Sequence, residues 1–449
     1  MKKHFLLLLA GVLARQVLVA EPQVPLPEPE VSLRVLPERD LVYNGGDREV
    51  IVQVELQARK PERGHRVPMN LALVLDRSGS MQGAKIEKAR QAAAVAVDQL
   101  DDDDILSLVI YDNETEVLLP PARVGGKGNR EELKSTIDRI RPGGGTALHA
   151  GVTVGARELR KNFAKERVNR VILMSDGIAN VGPSRTSDLV KLGRGLREDG
   201  IAVTTIGLGD DYNEDLMTAL AEASSANYYY VKDAEKLPGI FSEELGVARS
   251  LLARGVTIRI TVPEGVRLRE IVGRPEIECR GRSVEITLPE IFGAEKRRFL
   301  AKCTVDEKRS EPLEVASIKM DYATADGKRA PEQAQTAQVK FTDEAPKSDA
   351  SLRPEVAKEF AVTKNRLAKE RAVKLADEGR PKEAEEVLRQ QAVANAAAPA
   401  PAQLPGLAEE NRKLEKAAAE ISSGGALAPA SRKAMQFDNY KDKYQKQSR

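Results

Sequence analysis

The 449-residue chain contains no tryptophan, and only 4% of its residues are aromatic. Surfaces that stack nucleobases or sugars draw on such rings, so their scarcity argues against those ligands. Charge of one sign is also lacking. Lys and Arg number 70 against 68 Asp and Glu, a formal net charge of +2. The two signs are interspersed, and no basic stripe marks a nucleic-acid partner. No G-x-x-x-x-G-K-[ST] segment is present to cradle nucleotide phosphates, and there is no His-rich cluster of the kind that builds a catalytic metal site. Cysteine occurs twice, as Cys279 and Cys303. These are either a disulfide in an oxidising compartment or two free thiols on neighbouring strands, because sequence does not set their distance.

Long apolar runs are missing too. The run Phe5–Leu13 is far shorter than the ~20 residues that span a bilayer. It follows Lys2 and Lys3 and precedes Val19-Ala20 before Glu21, the layout of a signal peptide over 1–20, although Arg15 interrupts it. A buried N-terminal helix is the alternative. The expectation is export, to a bacterial periplasm or the medium, with no transmembrane segment after signal removal. No cysteine near the cleavage point suggests a lipid anchor.

What is present divides the chain into several units, as its length requires. Residues 21–30 are a Pro-rich linker. Residues 31–66 hold alternating strands, VSLRVLP and EVIVQVELQA, around Asn44-Gly45-Gly46. Residues 67–248 alternate apolar strands with helical patterns: LALVLD, ILSLVIYD, EVLLP, RVILMSD, AVTTIGLG and YYYV, interleaved with helices near 83–100, 129–140, 146–163, 186–198, 214–224 and 235–248. In the first helix Ile86, Ala89, Ala93, Val97 and Leu100 share a face. Strands apolar throughout, each followed by a helix, predict a doubly wound, mostly parallel six-stranded α/β sheet. Residues 249–345 return to alternation in six strands, an antiparallel β-sandwich. A lone hairpin is unstable, so the strands of 31–58 are expected to join this sandwich, with the α/β unit inserted between. Residues 346–449 predict a helical, partly disordered appendage: a helix pair around Gly379-Arg380-Pro381, a short helix over 407–421, and a basic solubilising end.

The first α/β strand ends at Asp76 and runs into Arg77-Ser78-Gly79-Ser80. A carboxylate at the end of so apolar a strand needs compensation. A hard cation supplies it, since Asp and Ser oxygens suit Mg²⁺ or Ca²⁺. Gly143-Gly144-Gly145-Thr146 and Ser175-Asp176-Gly177 fall at the same carboxyl end of the sheet, where ligands of open α/β sheets gather. Asp-x-Ser-x-Ser alone reads equally well as a helix cap; three segments in register do not.

These segments resemble the adhesion-site motif of von Willebrand factor A domains: D-R-S-G-S at 76–80, G-G-G-T at 143–146 and S-D-G at 175–177. LDDDDILSLVIYDNE and TTIGLGDDYNEDLM are similar to further parts of that family. The layout looks like bacterial exported members and, more distantly, the inter-alpha-trypsin inhibitor heavy chains. The resemblance implies a Mg²⁺ site, with Mn²⁺ or Ca²⁺ as alternatives. Ser78, Ser80 and Thr146 would hold the ion through hydroxyls, and Asp76 and Asp176 directly or through water. An open position would await an Asp or Glu of a protein partner. Arg77, Asp112 and Gly145 are rim candidates for that partner. The implied function is a metal-dependent adhesion or assembly module. The alternative is an envelope scaffold that works through the sandwich and tail, with metal only stabilising the loop. His149 has no nucleophile at a useful spacing, so catalysis is not expected. Asp101–Asp104 reads as a solvated helix end. Oligomeric state is not legible.

Overall fold

The computed structural model describes residues 28–62, 64–397 and 406–444. The signal-peptide reading and most of the Pro-rich linker lie outside these residues.

The chain opens with β1 (Val31–Pro37), β2 (Leu41–Tyr43) and β3 (Glu49–Ala58). It then enters an α/β unit built from β4 (Met69–Asp76), α1 (Ala84–Gln99), β5 (Ile105–Tyr111), β6 (Thr115–Arg123), α2 (Lys127–Ile137), α3 (Leu148–Arg160), β7 (Val168–Ser175), α4 (Thr186–Glu198), β8 (Ala202–Leu208), α5 (Glu214–Ala223), β9 (Tyr228–Val231) and α6 (Leu237–Arg249). The six strands lie in the order β6-β5-β4-β7-β8-β9. All pairings are parallel except β5 with β6. Every residue of β4, β5 and β7 is buried, because parallel crossovers place helices on both faces. One core packs α1, α2 and α6 on the first face, and the other packs α3, α4 and α5 on the second. Ile86, Ala89, Ala93 and Val97 form the buried side of α1.

After α6 the chain builds β10 (Leu251–Thr261), β11 (Val266–Ile271), β12 (Ser283–Phe292), β13 (Lys296–Val305), β14 (Leu313–Thr324) and β15 (Gln333–Thr342). Two sheets result, β1-β3-β13-β11 and β12-β10-β14-β15-β2. They enclose one apolar core. β3 pairs with β13 from Glu49↔Thr304 to Gln57↔Lys296, so the α/β unit is inserted between strands of a single sandwich. The two units meet at buried Arg170, whose guanidinium lies 2.6 Å from Glu244 of α6 and 3.4 Å from Glu290 of β12. Cys279 and Cys303 are free thiols; burial pushes the Cys303 thiol up to about 12.

Asp101–Asp104 lies between α1 and β5, and Asp101 and Asp102 are exposed there as expected, but Asp104 is buried. Arg66 pairs with Asp101, Asp103 and buried Asp104, and Asp104 accepts the Met69 N–H at 2.7 Å.

The C-terminal region adds α7 (Ala345–Ala350), α8 (Pro354–Asp377), α9 (Pro381–Ala396), α10 (Leu407–Gly424) and α11 (Pro429–Tyr444). The expected helix pair is α8 and α9, and α10 covers the face they share through Leu414, Ala418 and Ile421. The expected basic solubilising end, KDKYQKQSR at 441–449, falls among the described residues only over 441–444; these close α11, which straps the α/β unit. Arg432 pairs with Asp215 at 2.9 Å and Asp377 at 2.8 Å, and also with Glu214. Tyr440 donates to the Ala226 carbonyl at 2.6 Å and meets Tyr228 edge-on at 5.8 Å. Arg274 and Arg297 of the sandwich donate to the carbonyls of Lys443 and Tyr444. The basic residues there are spent on internal acids and carbonyls, a pairing that charge composition alone does not reveal.

Candidate functional site

β4 and β7 are neighbours in the sheet, so Asp76 and Ser175 finish side by side at its carboxyl edge. The chain turns sharply after Asp76: the Ser78 N–H donates to Asp76 Oδ1 at 2.7 Å. A single 3-10 turn, Gly79–Met81, follows, and its buried Met81 anchors the loop. The 143–146 loop is stitched to this turn by Gly79 N–H to the Gly144 carbonyl, 3.0 Å, and Gly143 N–H to the Arg77 carbonyl, 2.7 Å. Gly144 sits at φ 74° with Asp112 and Asn113 against it, a left-handed conformation that favours glycine.

These contacts bring the five expected side chains together. The Ser80 hydroxyl donates to Asp176 Oδ1 at 2.7 Å and lies 3.1 Å from the Ser78 hydroxyl. A methyl group placed on Gly177 would lie 2.9 Å from Thr146 Oγ1, 3.4 Å from Ser80 Oγ and 3.7 Å from Ser78 Oγ. The three hydroxyls therefore border one small space, which exists because residue 177 has no side chain. Asp76, Ser78, Thr146 and Asp176 are buried, while Ser80 is an exposed residue whose hydroxyl points inward to Asp176.

Asp76 is held from behind. Ser175 Oγ donates to its Oδ2 at 2.6 Å, and the Tyr111 hydroxyl is 3.5 Å away while donating to the Met174 carbonyl at 3.2 Å. Burial pushes the Asp76 carboxyl up to about 6; hydrogen bonds from Ser175 and Ser78 oppose that, and the nearby Asp176 charge adds to it. Burial likewise raises the Tyr111 phenol, which stays neutral. Asp176 Oδ2 has the Lys85 ammonium at 2.5 Å.

Two carboxylates and three hydroxyls are an all-oxygen donor set, which suits a hard divalent cation. Few of the donors are charged, so such an ion would stay attractive to a further carboxylate. The donor set, the space beside Gly177 and the buried Asp76 charge all fit the group that the resemblance implies.

The rim candidates are engaged within the chain. Arg77 and Asp112 face each other, Nε to Oδ2 at 3.1 Å, so each meets the other's charge. The Gly145 N–H is taken by Asn113 Oδ1 at 2.9 Å. Sequence reasoning read Asn113 beside Asp112 as rim lining and missed Lys85, Tyr111, Ser175 and Asn180. Tyr111 and Ser175 lay within quoted segments; Lys85 and Asn180 carry no spacing signal and act only through the folded loops.

Residues 70–243 match the von Willebrand factor type A domain family, whose domains are in general protein-interaction or adhesion modules. The chain is 30% identical over 210 residues to the uncharacterized protein sll0103 of Synechocystis, a region that is 47% of each chain. It is 24% identical over 216 residues to the uncharacterized protein YfbK of Escherichia coli, 48% of this chain and 37% of that one. To inter-alpha-trypsin inhibitor heavy chain H3 of Rattus norvegicus it is 27% identical over 211 residues, 45% of this chain and 23% of that one. The chain thus spans less than half the length of these curated relatives. Among solved structures, a von Willebrand factor type A protein from Catenulispora acidiphila shares the fold over 93% of this chain and 97% of its own, with TM-score 0.70 and 17% identity. The ArnB paralog VWA2 from Sulfolobus acidocaldarius does so over 92% and 99%, with TM-score 0.56 and 18% identity. The sheet order and the family match together identify residues 70–243 as a von Willebrand factor type A domain, at whose carboxyl edge the three loops converge.

Proposed function

We propose that this chain is an exported, non-enzymatic binding protein that captures an acidic side chain of a protein partner with the help of a divalent cation, Mg²⁺ foremost. Asp76, Ser78, Ser80, Thr146 and Asp176 hold the ion in this reading. The observation that carries it is the convergence of three hydroxyls on the space beside Gly177, next to two carboxylates without solvent exposure.

A bound divalent cation supplies Lewis acidity toward an incoming carboxylate. The chain's residues supply the rest. Ser78, Ser80 and Thr146 offer neutral oxygens, which keep the total negative charge low. Ser175 and Tyr111 fix Asp76 in one orientation, and the backbone bonds between the Asp76 and Thr146 loops set the site before a partner arrives. Pre-organisation of this kind lowers the ordering cost of binding. Export rests on Lys2, Lys3 and the Phe5–Leu13 run; among the described residues no helix is long and apolar enough to cross a membrane. The scaffold alternative loses part of its basis, because α11 spends its polar contacts within the chain.

The test is capture of partners from envelope extract by the full chain, with Mg²⁺ and with EDTA. Partner capture is expected with Mg²⁺, and loss of it with EDTA or in Asp76→Ala, with an unchanged circular dichroism spectrum. Undiminished capture after either treatment overturns the reading.

A further inference from the structure

Four large apolar side chains are exposed among the described residues, and one of them, Ile178, stands two positions from Asp176 with 60% of its surface accessible. Isolated exposed apolar residues are ordinary. What distinguishes Ile178 is how firmly the backbone presents it. On one side, Asp176 is buried and paired with Ser80 and Lys85. On the other, Ala179 is buried in the core beneath α3 and α4. The next residue clasps the Thr146 loop: Asn180 Oδ1 accepts the Thr146 N–H at 2.8 Å, and the Thr146 carbonyl accepts the N–H groups of Asn180 at 3.2 Å and Val181 at 3.4 Å. Ile178 is pinned between two anchors and has no path into the core.

The charged groups of the candidate site are already matched. Arg77 faces Asp112, and Lys85 faces Asp176. Two residues beyond Asp176, the same loop offers a stiff, β-branched, exposed apolar side chain that loses little rotamer freedom on contact. Covering it removes apolar surface from water, a gain that a polar neighbour on the partner would forfeit.

We infer that Ile178 is a specificity contact, and that the partner segment carries an apolar side chain adjacent to its acidic residue. This rests on the reading of the site given above.

The probe is a set of synthetic peptides with one central Glu, flanked on either side by Leu or by Ser, offered to the full chain with Mg²⁺ or EDTA. Wild type is expected to bind the Glu–Leu peptides about tenfold more tightly than Glu–Ser, roughly 1.4 kcal/mol. Ile178→Ser is expected to bring that ratio close to one while keeping Mg²⁺-dependent capture of Glu–Ser, and Ile178→Val to keep most of the preference. An absent preference in wild type, or an unchanged ratio in Ile178→Ser, overturns the inference and leaves the metal-dependent capture of acid standing. Absence of Mg²⁺-dependent capture for every Glu peptide overturns both. Ile178 is exposed, so an unchanged melting temperature in the variants separates contact loss from misfolding.

Discussion

Lys85 Nζ lies 2.5 Å from Asp176 Oδ2, so an ammonium of α1 balances the carboxylate that closes the candidate site. Asp176 has no exposed side-chain surface, whereas Lys85 keeps 28% of its own; the cation is the partner free to leave. A divalent ion and this ammonium draw on the same charge. Lys85→Met is expected to tighten Mg²⁺ or Mn²⁺ binding by on the order of 1–2 kcal/mol, given an effective dielectric near 20. It should also lower the melting temperature of the metal-free protein, because it leaves a buried carboxylate unpaired. Titration calorimetry and melts with and without metal check both effects. Unchanged affinity would show that the ammonium and the ion do not compete.

Gly177→Ala is the sharpest probe of the cradle. The new methyl would stand 2.9 Å from Thr146 Oγ1, inside the space the hydroxyls border. Metal affinity is expected to fall at least about tenfold, about 1.4 kcal/mol. A calorimetric titration of Mn²⁺ into this variant that matches wild type would place the ion elsewhere.

Asp442 gives a pH signature unrelated to the metal. It faces Lys369 of α8 at 3.8 Å, Glu410 and Lys413 of α10, and Asp438 of its own helix; burial outweighs the two lysines and pushes its carboxyl up to about 6, from 3.8. A raised folded value means the folded state holds the proton more tightly than the unfolded state. The resulting stability is fully present below about pH 4 and is lost as pH rises through about 6. Asp442→Asn is expected to flatten that part of the stability profile, measured by urea unfolding at stepped pH. Some screening applies, since 31% of the side chain is exposed. An unaltered slope between pH 4 and 6 would refute the assignment.

The strap made by α11 should carry measurable stability. Tyr440→Phe loses the bond to the Ala226 carbonyl and is expected to cost about 1 kcal/mol. Tyr440→Ala also empties a buried aromatic site, for roughly 3–5 kcal/mol. Arg432→Ala should speed proteolysis between α10 and α11, because it unties Glu214, Asp215 and Asp377 together. Digestion at the wild-type rate would mean the helix is held by its apolar face alone.

The α/β order and the sandwich insertion were legible in the sequence because both depend on local periodicity. Continuously apolar strands such as LALVLD require cover on both faces. Alternating strands such as EVIVQVELQA require one buried face, and two lone strands need a sheet to join. The five oxygen-bearing residues were legible because three loops at strand ends repeat a known spacing. Tertiary structure alone decided how those loops meet. Arg77 turns to Asp112, Lys85 reaches Asp176, Asn180 clasps Thr146, and Ile178 is left facing water. Each of these contacts joins residues from different loops or elements, and no local pattern encodes which of several polar partners will be in reach. The helices of the tail were legible, but the seat of its last described residues was not, for the same reason. Lys433, Tyr440 and Lys443 look solvated until α5 supplies Glu214 and Glu222, and the turn before β9 the Ala226 carbonyl, around them. Composition determined that the segment is polar; only the packed fold determined that it is a helix and a strap.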